Sequence, residues 1–211
     1  MSHYSILKNE LGDNVQLCVV SKKRSVEEMM YFYQQGERIF GENHAQELLA
    51  KVPQMPDDVQ WHFIGHLQTN KVKQILPYVS CIQSLDSINL ANEIEKQATK
   101  IQKDINVLVE FHIAENDFRK TGVKKEDAFS FFEQCQSFPH IKIKGIMCMG
   151  PLTKDTSKIK DIFNEAQELF KQLQQKYDIQ TLSMGMSDDY KIALSCGCNM
   201  VRVGTYLFEG D

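Results

Sequence analysis

The chain has 211 residues, with 24 Lys and Arg against 28 Asp and Glu, a net charge of −4, and 42% apolar residues. That is the composition of a soluble globular protein with one sizeable core, and it excludes disordered and fibrous chains. The mild acidity also argues against nucleic acid as a partner, since phosphate binding gathers Lys and Arg, and the basic runs are as short as Lys22-Lys23-Arg24 and Lys142-Ile143-Lys144.

Two periodicities alternate along the chain. A β-type run at 16–22 (QLCVVSK) is followed by Val26, Met29, Met30 and Tyr33 at helical spacing, and a second at 38–43 by Ala45, Leu48, Leu49 and Val52. Further short apolar runs lie at 60–67, 81–86 and 105–113, and the stretch 114–124 (AENDFRKTGVK) reads as a βα loop. A run at 141–150 precedes Ile159, Ile162, Phe163, Ala166, Leu169, Phe170 and Leu173, which form one apolar helical stripe. Runs at 181–187 and 200–208 complete the pattern. Strands alternating with helices predict parallel βαβ units, and eight such units close a (β/α)8 TIM-type barrel. An open doubly wound sheet is the alternative; against it, the chain has no G-x-G-x-x-G after its first strand and no G-x-x-x-x-G-K-[ST]. The length sits near the lower limit of ~200 residues for a barrel, so residues 1–211 are expected to form a single domain without a second domain or a long lid.

No stretch approaches the ~18 apolar residues of a membrane span, and the opening MSHYSILKNELGDN has no apolar signal segment. A cytoplasmic protein without membrane contact is expected. Six scattered cysteines, with no C-x-x-C pair, read as buried free thiols rather than a zinc or redox site, and Cys196-Gly197-Cys198 does not change that reading.

In a barrel of this type the chemistry lies at the C-terminal strand ends. Those ends are polar here: Ser21-Lys22, Glu42-Asn43, His66 to Asn70, Ser187-Asp188-Asp189, then Arg202 and Gly204-Thr205. Loops after the seventh and eighth strands commonly bind phosphate. Ser187 and Thr205 supply hydroxyl donors, and Gly204 allows close backbone approach. The plainer reading is that Ser187 caps a helix over 188–194 and Gly204 relieves crowding. Arg202 is a permanent charge in an apolar strand and needs a partner; a structural ion pair with Glu110 is the plain account. Lys22 at the barrel mouth, partly desolvated, would be a nucleophile toward carbonyls, whereas taken alone it reads as a snorkelling surface lysine. Lys23 is expected to point the other way. His62 and His66 make a weak zinc case without a third ligand. The Ser187 region lacks the closing Gly of a nucleophile elbow, and Cys148 reads as core.

A lysine after strand one, a phosphate cup after strands seven and eight, and an arginine before that cup together suggest pyridoxal 5′-phosphate held as a Schiff base. The chain also resembles the pyridoxal-phosphate homeostasis proteins, which share the barrel of the alanine racemase N-terminal domain. The matching motifs are Val19-Val20-Ser21-Lys22, Phe40-Gly41-Glu42-Asn43 with Gln46-Glu47, Trp61-His62-Phe63-Ile64-Gly65, Leu67-Gln68-Thr69-Asn70-Lys71, Leu182 through Asp189, and Val201-Arg202-Val203-Gly204-Thr205. The resemblance implies that Lys22 carries the cofactor, Ser187, Gly204 and Thr205 hold its phosphate, Arg202 faces the pyridine nitrogen and Asn43 lies near the ring. It further implies a fold-type III barrel without the C-terminal β-domain, acting as a monomer in buffering the cofactor and delivering it to apo pyridoxal-phosphate enzymes. His66 stands where the family usually has proline and His44 where it usually has tyrosine. The segment before strand one looks too short for the family's full first helix, and the chain stops earlier than most members, at Glu209-Gly210-Asp211.

Enzymes that stabilise negative charge at the substrate α-carbon pair the ring nitrogen with a carboxylate. An arginine has no such effect, because it only donates. Racemisation also needs an acid/base on the opposite face, which the resembled racemases take from a further domain. A non-enzymatic carrier is therefore expected. An amino-acid racemase or related enzyme is the first alternative, and a cofactor-free barrel enzyme acting on a phosphorylated metabolite the second.

Overall fold

The computed structural model describes residues 2–113 and 121–209. Among them, strands β1 (Gln16–Val20), β2 (Ile39–Glu42), β3 (Gln60–Phe63), β4 (Val79–Leu85), β5 (Ile105–His112), β6 (Ile141–Cys148), β7 (Thr181–Ser183) and β8 (Met200–Val203) are all parallel and pair in chain order. The ring closes where β8 lies against β1, Gln16 opposite Met200 and Val19 opposite Val203. The expected closed barrel is thus present, and the open sheet is not. Of the stretch read as a loop at 114–124, residues 114–120 lie outside the described residues, and Val123–Lys124 extend the sheet beside the end of β5.

Helices α2 (Val26–Gln34), α3 (Ala45–Lys51), α4 (Thr69–Ile75), α5 (Ile88–Ile101), α6 (Ala128–Cys135), α7 (Thr156–Gln174), α8 (Tyr190–Ser195) and α9 (Thr205–Phe208) follow the strands one by one, and α1 (His3–Leu11) precedes them. Local chemistry sets their starts. Ser25 and Glu28 form a reciprocal capping box on α2, Ser87 caps α5, and Asp155 accepts from two backbone N–H groups of α7. The stripe expected on α7 is buried at Ile159, Phe163, Ala166, Leu169, Phe170 and Leu173. The N-terminal segment, although short, does form a helix: Ser2 caps it, and Tyr4, Leu7 and Leu11 are buried. No helix among the described residues is long and apolar enough to cross a membrane.

The sequence reading overran several strand ends. β1 stops at Val20 because the backbone turns, with Arg24 N–H donating to Ser21 O at 3.0 Å and Lys23 in the left-handed region at φ 60°. The run at 200–208 is a four-residue strand followed by α9, since its apolar residues serve two elements in succession. Outward strand positions such as Val19, Phe40, Phe63, Ile82, Val107, Ile146 and Val201 pack under the helices. The inward row differs from the branched apolar layers usual in such barrels. Register places Cys18 beside Arg202, Gly41 beside His62, His62 beside Cys81, and Ser183 beside both Met147 and Met200.

Candidate functional site

The C-terminal ends of the strands surround a cavity of about 480 Å³. Lys22, Asn43, Ser187, Arg202, Gly204 and Thr205 all border it, so the structure brings together every candidate residue the sequence pointed to for a cofactor. Alternation along β1 carries positions 18 and 20 to the interior, and the turn that follows sets Lys22 at the mouth. There Lys22 is exposed rather than partly desolvated, and Lys23 borders the same cavity instead of turning away. A depression of similar size at the other end of the barrel, beside Phe132, Lys142 and Tyr177, contains none of the polar strand ends.

The turn that bears Lys22 is held from β2 and α3. Ser21, fully buried, donates to Glu42 Oε1 at 2.7 Å. Lys51 Nζ donates both to the Ser21 carbonyl (2.6 Å) and to Glu42 Oε1 (2.7 Å), while Glu47 accepts from the Lys23 backbone N–H at 2.7 Å. Burial pushes the Glu42 carboxyl above its ordinary range, and the bonds from Lys51 and Ser21 act against that rise. The sequence reading missed Lys51. Its signal was a charge three residues after Leu48, on the buried face of an amphipathic helix.

Asn43 follows Glu42, and its Oδ1 is buried with no hydrogen-bond partner. Gly65 presses the next loop onto it: a Cβ at position 65 would stand 2.3 Å from the Asn43 carbonyl oxygen. An unpaired buried acceptor on a cavity wall is a place for a ligand's donor. Opposite, Ser187 does not cap α8, whose N-cap is Asp189. Instead its Oγ accepts the Tyr206 N–H at 3.1 Å, tying the loop after β7 to the first turn of α9 and leaving the hydroxyl hydrogen free to donate. Gly204 does relieve crowding, since a Cβ there would meet the Val20 carbonyl oxygen at 2.8 Å, and it also borders the cavity.

Arg202 is buried, and the ion pair expected with Glu110 is absent. Its Nη1 donates to Ser183 Oγ (2.7 Å) and its Nη2 to the Cys148 carbonyl (2.9 Å). Its direct partners are thus neutral acceptors, while the nearby buried carboxyls of Glu110 and Asp189 feel its charge without touching it. His62 and His66 part company: His62 is interior, whereas His66 sits on the rim and pairs with Asp86 at 3.3 Å. His44, the other departure from the family pattern, borders with His66 an adjoining cavity of about 370 Å³. All six cysteines are buried free thiols, and burial pushes Cys18, Cys148 and Cys198 up to about 12.

The alanine racemase N-terminal domain model matches residues 2–211. Pyridoxal phosphate homeostasis proteins of Aquifex aeolicus and Pasteurella multocida are 39% and 36% identical to the chain over 201 and 200 residues, spanning 93% and 92% of it and 88% and 85% of their own lengths. The chain belongs to this family. PipY of Synechococcus elongatus, solved with pyridoxal phosphate bound, superposes with a TM-score of 0.89 at 30% identity and 98% coverage of both chains. An alanine racemase of Clostridium difficile shares the fold alone, with a TM-score of 0.78 at 14% identity over 97% of this chain and 55% of the racemase.

Proposed function

We propose that the chain binds pyridoxal 5′-phosphate in the strand-end cavity, holds it as a Schiff base on Lys22, and serves as an intracellular buffer and donor of the cofactor to apo enzymes. One observation carries the reading. A primary amine, a fixed guanidinium, an unpaired buried amide oxygen and two hydroxyl donors converge on one cavity from four strand ends. Residues 1–211 act here as one domain and as a monomer.

When bound, the cofactor supplies an aldehyde that condenses with amines and a ring that withdraws electrons. Ser187 and Thr205 hydroxyls, with the Gly204 backbone, would hold the phosphate dianion by charge-assisted bonds. Arg202 would face the ring nitrogen and, having only donors, cannot keep that nitrogen protonated as a carboxylate does. Asn43 would meet a donor group beside the ring. Lys22, exposed at the mouth, is open to exchange with incoming amines. The arrangement supports capture and release of the cofactor and disfavours turnover of amino acids, in keeping with the names of the full-length relatives rather than with the racemases, whose likeness is of fold.

The deciding experiment is a visible absorption spectrum of protein loaded with pyridoxal phosphate, followed by borohydride reduction and peptide mapping. Label on Lys22, lost in Lys22→Ala, is the expected result; label on Lys23 or Lys71 would sink the assignment. Deuterium exchange at the α-carbon of alanine, serine, lysine and glutamate should show no multiple turnover. Exchange that disappears in Lys22→Ala would favour an enzyme.

A further inference from the structure

Beneath the cavity, the barrel interior contains a row of hydrogen bonds that the cofactor contacts do not use. Arg202 Nη1 donates to Ser183 Oγ (2.7 Å), Ser183 Oγ donates to Gln83 Oε1 (2.7 Å), and Gln83 Nε2 donates to His62 Nδ1 (2.8 Å) and toward the Met200 sulfur (3.3 Å). Every member is buried, with Ser183 and Gln83 fully so. They come from four strands, β3, β4, β7 and β8, and so span the barrel.

The arginine sets the direction of each bond. A guanidinium has only donors, so Ser183 must accept from it and turn its single hydrogen to Gln83 Oε1. That orients the amide, whose NH2 then faces His62 Nδ1 and leaves this nitrogen only the role of acceptor. His62 therefore carries its proton on Nε2, and burial holds the ring far below its ordinary value, at about 4, so it is neutral near pH 7. Bonds aligned head to tail from a charge polarise one another. Arg202 is gripped a second time through Nη2, by the Cys148 carbonyl at 2.9 Å and the Met149 sulfur at 3.4 Å.

We propose that Ser183, Gln83 and His62 are positioning residues for Arg202: a one-way hydrogen-bond row that fixes the orientation of its guanidinium toward the ring of the bound cofactor. The cofactor side of this inference rests on the binding reading above, while the row itself can be observed in cofactor-free protein. With Arg202 anchored at both Nη atoms, its charge has one orientation toward the cavity. Loosening the anchor would alter both the electronic environment of the ring and the retention of the cofactor, without touching Lys22.

The test has two arms. In cofactor-free protein, ¹⁵N NMR of the histidines should show His62 protonated on Nε2 and bare on Nδ1. Gln83→Glu is nearly isosteric, but a carboxylate accepts from both neighbours, so His62 must bring a proton to Nδ1 and its nitrogen signals must change accordingly. An unchanged tautomer in Gln83→Glu would overturn the row. In loaded protein, Ser183→Ala should still take borohydride label at Lys22, yet move the visible band and weaken retention by roughly tenfold, about the loss of one charge-assisted bond. Ser183→Thr, which keeps the hydroxyl, should restore the parent's band. A parent band and parent retention in Ser183→Ala would overturn the positioning role. Parent protein that took up no cofactor would sink the binding reading, and the positioning role with it, while the histidine signals would still report the row.

Discussion

Among the polar residues at the strand ends, Ser187 and Arg202 have structural duties as well as their proposed ligand contacts. Ser187 shows it best: one lone pair is engaged by Tyr206 N–H, and only the hydroxyl hydrogen points outward in the bonding scheme. A charge-assisted bond to phosphate is worth on the order of 1.5–3 kcal/mol, so Ser187→Ala or Thr205→Val should weaken cofactor retention roughly ten- to a hundredfold, measured by equilibrium dialysis. Retention equal to the parent's in both variants would place the phosphate elsewhere. His62 makes a separate prediction about pH. Its folded value, about 4, lies below the ordinary 6.5, so the unfolded chain binds more protons between these limits. Stability is then fully present above pH 6.5 and falls as pH drops toward 4, by up to about 3 kcal/mol. His62→Gln, which keeps an acceptor for Gln83, should flatten that part of the urea-unfolding profile; an unaltered slope would contradict the burial argument.

Among the elements, β2 and α3 together position the first βα turn. Glu42 at the end of β2 and Lys51 at the end of α3 are in contact at 2.7 Å, with side chains 0% and 10% exposed, and both hold Ser21. The second carboxylate, Glu47, fixes the Lys23 N–H in a left-handed turn that a non-glycine residue adopts only with support. Lys51→Met leaves Glu42 buried and unpaired, a change that typically costs about 3–5 kcal/mol. It should lower the urea midpoint strongly, and adding Glu42→Gln should recover part of the loss. Equal destabilisation in the single and double variants would show that the pair is not coupled. The motif Phe40-Gly41-Glu42-Asn43 with Gln46-Glu47 thus has a physical account: Glu42 and Glu47 clamp the neighbouring turn, and Asn43 is left to face the cavity.

At the scale of the whole molecule, closure of the ring gathers groups nearly 200 residues apart around one cavity. A ligand that binds only the closed barrel stabilises it by mass action, by about 2.7 kcal/mol at a hundred times its dissociation constant. For a chain of this size, 1 kcal/mol moves Tm by roughly 2–4 °C. Saturating pyridoxal phosphate should therefore raise Tm by about 5–10 °C, and much less in Lys22→Ala. Calorimetry showing no shift in the parent would contradict binding to the folded barrel.

Periodicity by itself determined the eight strands and their alternation with helices, because each element's buried face is written in local spacing, whereas closure rested on their number and on the missing Gly-rich fingerprints. The strand-end residues were legible for a related reason: in this fold, chain position after a strand already specifies the end of the barrel. What local spacing cannot encode is contact across the ring. Whether Arg202 meets Glu110 or Ser183 depends on strand tilt and register, and only closure set Ser183 and Gln83 within 2.7 Å across a hundred residues of sequence. The same holds for Ser187, whose partner Tyr206 belongs to another loop, for Lys51, whose charge is satisfied by residues of two strand ends, and for α9, where the apolar run continued but the backbone had left the sheet.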